Sequence, residues 1–162
     1  GVGEAPPPAP LPGLPDTRHA RQVWLVIGDG GPAGVTEALV RHRAPSGPVV
    51  LAVPADRRPA IAAALRGMPG VAMVAEERPA PDTLLDAADL LAPLGRPVIV
   101  VEGADALEPP ERGEHADAVI VDLLEQAGDD VDVLVLLAPG NWPTVEPTAR
   151  VRADEDGRPV PA

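Results

Sequence analysis

The stretch that most constrains the fold covers residues 22–40, QVWLVIGDGGPAGVTEALV. A continuous apolar run at 23–27 leads into a glycine-rich turn, and Val35, Ala38 and Leu39 then share one helical face. A run without polar alternation is typical of a strand that is covered on both faces, as in a parallel sheet. The stretch therefore predicts a buried strand, a tight turn and a helix in succession.

The same alternation repeats along the chain. Apolar runs at 48–53, 71–75 and 98–101, and a run at 131–137 that is apolar except for Asp132, predict four more strands. Helical stripes separate these runs, and the clearest stripe extends over residues 116–127 with apolar side chains at i, i+3, i+4 and i+7. Strands that alternate with helices predict an α/β fold with a doubly wound, mostly parallel five-stranded sheet. The simplest strand order is 3-2-1-4-5.

Composition divides the chain into three parts. Residues 1–20 contain the run APPPAP, which is typical of a stiff interdomain linker or, alternatively, of a docking arm for a proline-binding partner. We expect a Rossmann-like α/β domain at 21–140 and an extension at 141–162. Within the extension, ARVRADEDGRPV predicts a C-terminal β-hairpin that turns at Asp156 and Gly157. The opening Gly-Val-Gly and the absence of lysine suggest a fragment of a larger bacterial multidomain protein.

Charge and residue content exclude several functions. The formal net charge is -12, which repels phosphate backbones and anionic membrane surfaces, so we expect neither nucleic acid nor membrane as a partner. The absence of cysteine excludes disulfides and thiolate metal sites. No apolar run reaches the length of a membrane-spanning helix, and no signal-peptide pattern opens the chain. We therefore expect a soluble protein, cytoplasmic rather than exported.

The glycine-rich turn carries the most specific motif. Gly28, Gly30 and Ala33 match the pattern G-x-G-x-x-G/A between a strand and a helix, and here the chain resembles the Rossmann-type dinucleotide-binding families. The resemblance implies a nucleotide or NAD(P) held at loop 28–34, with its pyrophosphate at the helix N-terminus. Asp56 is the candidate for the ribose, and the full set of candidate cofactor-binding residues is Gly28, Asp29, Gly30, Gly31, Ala33 and Asp56. A tight structural turn is the alternative, because Asp29 is negative and Pro32 lacks an N–H.

A second group of candidates is acidic. The predicted strand order places the crevice at the carboxyl ends of strands one and four, where Asp29 would face Glu102 and Asp105, with Asn141 and Trp142 nearby. The run VVEGADAL at 100–107 is similar to the first motif of Toprim nucleases and primases, which implies a glutamate that acts beside acidic Mg²⁺ ligands from a later Asp-x-Asp. Separately, the expected cluster of Asp29, Glu102 and Asp105 could hold Mg²⁺ through oxygen ligands and would then form a metal-dependent phosphotransfer or nuclease site. The alternative is a solvated acidic rim, which a chain with 25 acids readily provides.

The catalytic inventory is small. The chain has no Lys, Tyr, Cys or Phe, and its only serine, Ser46, lies in a Pro/Gly turn. Short-chain reductase chemistry needs a tyrosine and a lysine, so the resemblance does not extend to that activity. We expect no catalysis and no cofactor, and predict a scaffolding or protein-interaction domain whose partners are other domains or chains. Nucleotide or NAD(P) binding at 28–34 and the metal-dependent site remain as alternatives.

Overall fold

The computed structural model describes residues 11–17 and 21–161. In these residues, seven strands and four α-helices alternate, with short 3-10 turns at several of the connections. The strands are β1 (Arg21–Ile27), β2 (Val49–Ala52), β3 (Val71–Met73), β4 (Val98–Glu102), β5 (Asp132–Leu137), β6 (Ala149–Ala153) and β7 (Pro159–Val160). The helices are α1 (Ala33–Arg43), α2 (Arg58–Ala64), α3 (Pro81–Leu91) and α4 (Ala118–Gln126).

All seven strands form a single mixed sheet in the order β3-β2-β4-β5-β1-β6-β7. Every pairing is parallel except that of β7 with β6, which is antiparallel. The predicted five-stranded order 3-2-1-4-5 is therefore wrong. β1 does not lie between β2 and β4 but between β5 and β6, and the sheet has two more strands than predicted. The predicted C-terminal hairpin is present as β6 and β7.

The strand order could not be read from the apolar pattern, because the pattern identifies buried strands without pairing them. β2, β4 and β5 are buried along their whole length and would each accept the others or β1 as a neighbour. The crossover rule restricts only the side on which each helix lies. The β1–β2 and β2–β3 connections both move toward the β3 edge, and their helices α1 and α2 lie on one face of the sheet. The β3–β4 and β4–β5 connections move in the opposite direction, and their helices α3 and α4 lie on the other face. A uniform crossover hand therefore allows the observed order as readily as the predicted one.

Two apolar clusters lie on opposite faces of the sheet. On the α1–α2 face, side chains of the two helices such as Leu39 and Ile61 pack against Trp24 and Leu134. On the α3–α4 face, helix residues such as Leu84 pack against strand residues that include Ile99 and Val133. The core is built from Val, Leu, Ile and Ala, with Trp24 as its one fully buried aromatic side chain among the described residues. Coverage of both faces explains why the central strands have continuous apolar runs.

Residues 11–17 pack against the sheet domain. Thr17 is buried, and Leu14 contacts the cluster on the α1–α2 face. The Gln22 side chain donates a hydrogen bond to the carbonyl oxygen of Asp16 at 2.6 Å and accepts one from the Trp24 indole at 2.7 Å. This chain of hydrogen bonds ties the segment to β1. The rest of the predicted proline-rich linker, residues 1–10 and 18–20, lies outside the described residues.

Candidate functional site

The glycine-rich loop follows β1 and ends at the start of α1. The N–H of Gly31 donates to the carbonyl oxygen of Gly28 at 3.2 Å and closes a tight turn. Gly31 has φ +63°, a left-handed conformation that favours glycine. Pro32 stands at the N-cap of α1 and makes no side-chain capping hydrogen bond, so the first N–H groups of the helix receive no cap from it.

The β6–β7 hairpin packs directly on this loop. A Cβ at Gly28 would stand 2.7 Å from the carbonyl oxygen of Ala153, and a Cβ at Gly34 would lie 2.6 Å from the carbonyl carbon of Gly157. Gly30, by contrast, has Gly157 no closer than 3.8 Å. Glycine at positions 28 and 34 is thus required by the approach of the hairpin. This close backbone approach accounts for the glycines independently of any ligand.

An ion pair spans the carboxyl edge of the sheet beside this loop. The Arg57 guanidinium contacts both carboxylate oxygens of Glu102, at 3.0 and 3.2 Å, in a bidentate arrangement. It also donates to the carbonyl oxygen of Ala33 at 3.3 Å, in the first turn of α1. The Glu102 side chain is 3% exposed and that of Arg57 is 28% exposed. Arg57 therefore joins the loop after β2, the end of β4 and the start of α1.

The structure separates several of the predicted site residues. β5 lies between β1 and β4, so the ends of β1 and β4 are two strand spacings apart, about 10 Å. The predicted crevice between these two strands is therefore wrong. Asp29 and Asp105 are exposed on different loops, whereas Glu102 is buried against Arg57. No three acidic or histidine side chains in the described parts of the chain are grouped so that they could hold a metal ion.

The other predicted site residues, Asp56 and Trp142, lie on loops that follow the carboxyl ends of β2 and β5. Asp56 is exposed in a 3-10 turn before α2 and does not cap that helix with its side chain. The loop after β5 does lie next to β1, because those two strands are paired. In that loop the Trp142 indole donates to the carbonyl oxygen of Ala138 at 3.0 Å and packs on the α3–α4 face. Nucleotide binding at loop 28–34 remains a prediction.

Two further buried acids have structural partners away from this edge. The Asp117 carboxylate accepts hydrogen bonds from the backbone N–H groups of Thr144 and Val145, each at 2.9 Å, and so fastens the β5–β6 connection to the start of α4. Burial acts to raise the pKa of Asp117, but these hydrogen bonds outweigh it and hold the pKa below its ordinary value. At the opposite edge of the sheet, Asp132 binds Arg96 at 3.0 Å and lies 3.6 Å from Arg43.

These two arginines respond differently to their surroundings. Arg96 is largely exposed, and its hydrogen bond to Asp132 raises the pKa of its guanidinium. Arg43 is buried, and burial lowers the pKa of its guanidinium although Asp132 opposes the shift. Arg43 also donates to the carbonyl oxygen of Arg96 at 3.0 Å. The group joins the end of α1 to the starts of β4 and β5, which is a structural role.

Comparison with known proteins adds a statement about the fold. No family model matches the chain, and no curated protein matches it. Among solved structures, a DnaB-like replicative helicase, described with its interactions with primase, matches with a TM-score of 0.51 at 11% identity. The match covers 75% of this chain and 40% of the helicase chain. It shows the fold alone. The expected α/β class is confirmed, and a specifically Rossmann-like assignment is not.

Sequence reasoning missed the Arg57–Glu102 pair, although one signal was available. Glu102 ends a strand whose preceding residues are all apolar, so a buried carboxylate was implied there. A buried carboxylate needs a cationic or hydrogen-bonding partner. In a chain whose only strong cations are arginines, that partner had to be an arginine. Which of the 13 arginines it is depends on the strand order.

No described helix is long and apolar enough to cross a membrane.

Proposed function

We propose that this chain is a non-catalytic α/β domain that serves as a scaffold or as a surface for protein interaction. The observation that carries the proposal is the Arg57–Glu102 ion pair. In doubly wound sheets, ligands enter the crevice where adjacent strands send their connections to opposite faces. β2 and β4 are such a pair here, since α2 and α4 lie on opposite faces. The protein's own side chains bridge that crevice.

The glycine loop supports the same proposal. The connections that follow β5 and β1 also leave these adjacent strands on opposite faces of the sheet. The loop 28–34 lies beside the crevice between these two strands. The glycines at 28 and 34 are in contact with Ala153 and Gly157 of the hairpin. One glycine of the motif, Gly28, therefore has a packing role inside the domain, as does the neighbouring Gly34. The residue inventory, without Lys, Tyr or Cys, adds to this proposal.

The second candidate is a nucleotide-binding or NAD(P)-binding domain. It is favoured by the glycine-rich turn that leads into α1, and by Gly30, where an added Cβ would make only an ordinary van der Waals contact with Gly157, at 3.8 Å. The likeness in fold to part of a helicase chain is compatible with it. The metal-dependent site on Asp29, Glu102 and Asp105 has weaker support, because Glu102 is already paired with Arg57.

Calorimetry and thermal unfolding with NAD(H), NADP(H), ATP and Mg²⁺ discriminate between these functions. A ligand at 100 times its dissociation constant should stabilise the folded chain by about 2.7 kcal/mol. The interaction role predicts no stabilisation by any of them. Binding that the substitution Gly30→Val abolishes would refute the interaction role and establish the second candidate. Gly30→Val is suitable because its Cβ meets no atom closer than 3.8 Å, so the fold is expected to tolerate it.

A further inference from the structure

One part of the sheet, its β6–β7 end, has no described helix over it on the α3–α4 face. On the α3–α4 face, the buried cluster draws its strand residues from β1, β2, β4 and β5, with none of the described residues of β6 or β7. The opposite side of these strands is covered, since Val151 of β6 belongs to the other cluster and α1 contacts β7. The β5–β6 connection crosses β1 on the α3–α4 face, because β1 lies between β5 and β6 and Val145 of this connection belongs to the same cluster as Val23. Beyond this connection, the described helices leave the end of β1 and the β6–β7 hairpin without cover on this face.

The side chains on this open face follow from strand alternation and register. Val23 of β1 packs on the α3–α4 face, so Leu25 and Ile27 point the same way. Leu25 stands opposite Arg150 and Ile27 opposite Arg152 in the β1–β6 pairing. Val160 stands opposite Arg152 in the β6–β7 pairing and shares its side. We call these five residues the open face: Leu25, Ile27, Arg150, Arg152 and Val160.

The open face is apolar and cationic in a chain with a net charge of -12. Ile27 and Val160 are each 37% exposed and are two of the four large apolar side chains exposed in the described residues. Arg150 and Arg152 are exposed, and neither has an ion pair or a side-chain hydrogen bond with another described residue. Their stems would cover apolar atoms of a partner while their guanidinium groups remain free for carboxylates.

The dimensions of the open face fit one helix. Three adjacent strands span about 10 Å between the outer two, which is the diameter of an α-helix with its side chains. The five residues of β6 extend over about 17 Å, the length of a helix of about 11 residues. The helices α1 and α3, which cover other parts of this sheet, each have 11 residues. Because β7 has only two residues, a helix on this face would lie along β6.

From these observations we propose that the open face docks one amphipathic helix of a partner, with an apolar stripe flanked by glutamate or aspartate. The helix belongs to another protein. The proposal rests on the interaction role proposed above and assigns it a surface and a partner chemistry. Charge disfavours a second copy of the same face as the occupant, because Arg150 and Arg152 of the two copies would oppose each other.

The test uses two fluorescent helical peptides of about 14 residues, a length that covers the face. Both carry the same leucine stripe, one with glutamates on its flanks and the other with lysines. Fluorescence anisotropy should show binding of the glutamate peptide and at least about tenfold weaker binding of the lysine peptide. Arg150→Glu with Arg152→Glu should weaken the glutamate peptide by about tenfold as well.

A matched control has the same change in charge elsewhere. Arg66→Glu with Arg112→Glu alters two exposed arginines away from the open face and should change the affinity by less than about twofold. Equal binding of both peptides, equal loss in the control, or no binding of the glutamate peptide would each overturn the proposal. So would a dimer in sedimentation that Arg150→Glu with Arg152→Glu dissolves, since the occupant is then a second copy. These outcomes refute the open face alone, whereas nucleotide binding in calorimetry refutes the interaction role.

Discussion

Removal of Arg57 tests whether the bridge at the carboxyl edge stabilises the domain. The substitution Arg57→Met leaves the Glu102 carboxylate, 3% exposed, without its bidentate partner. Breaking a buried pair from one side costs about 3–5 kcal/mol, because a charge stays buried without compensation. The Arg57 side chain is 28% exposed, so water can reach the vacated position and we take the lower end, about 3 kcal/mol.

The opposite single substitution should cost less. Glu102→Met removes the buried charge and leaves an arginine that still reaches water and the carbonyl oxygen of Ala33. We expect a loss of about 1 kcal/mol, the value of a hydrogen bond that is replaced by solvent. The double variant, with two methionines, should lie within about 1 kcal/mol of the unaltered chain, because a buried ion pair and an apolar pair of similar size have similar stability.

Urea denaturation followed by circular dichroism measures all four chains of this cycle. The coupling between the two positions should be at least about 3 kcal/mol, because the two single losses sum to about 4 kcal/mol and the double variant loses at most about 1 kcal/mol. In thermal unfolding, Arg57→Met should lower Tm by about 6–12 °C for a domain of this size. If Arg57→Met costs less than about 1 kcal/mol, or if the double variant loses the sum of the two single losses, the pair does not stabilise the domain and this reasoning is wrong.

Two further stability predictions follow from the hairpin and from Asp117. Gly34→Ala should destabilise the chain by about 1–3 kcal/mol in urea denaturation, since its Cβ would overlap Gly157, although alanine is the better helix former by about 1 kcal/mol. Gly30→Ala is the control and should change the free energy of unfolding by less than about 0.5 kcal/mol; equal losses would refute the packing role. Asp117→Asn should cost about 1–3 kcal/mol at pH 7. Because the pKa of Asp117 is lowered by folding, its stabilisation is present above about pH 4 and is lost as the pH falls through the folded pKa. The gap between Asp117→Asn and the unaltered chain should therefore close toward pH 2, and a constant gap would contradict the assignment.

The elements could be predicted from local pattern because each depends on neighbours in sequence. The run at 23–27 and the stripe at 116–127 carry their periodicity within a single window, and both became elements with nearly the predicted bounds. Their ends differ by a residue or two, since α4 covers Ala118–Gln126 where the stripe extends over 116–127. Local patterns therefore predicted the type of each element more accurately than the residues at which it begins and ends.

The candidate site was less predictable because it depends on strand order. Asp29 and Glu102 were expected to meet, and β5 separates the strands that carry them. Asp56 is exposed before α2 and does not cap that helix, and its role at a ribose stays a prediction. Glycine is required at 28 by Ala153 and at 34 by Gly157, each more than a hundred positions away in sequence. Contacts between distant residues leave no periodic signal, so no local window contains them.

The position of β1 has a consequence for how the domain acquires its structure. β1 is the first strand to be synthesised, yet both of its neighbours, β5 and β6, lie in the last third of the chain. Its backbone hydrogen bond from Thr148 to Val23 joins residues 125 positions apart in sequence. Loops of that length must close before these contacts form, which slows folding and leaves β1 unpaired during synthesis. The strands β2, β3 and β4 pair among themselves and can form earlier. The apolar run of β1 therefore stays exposed to aggregation until the last third of the chain has been synthesised.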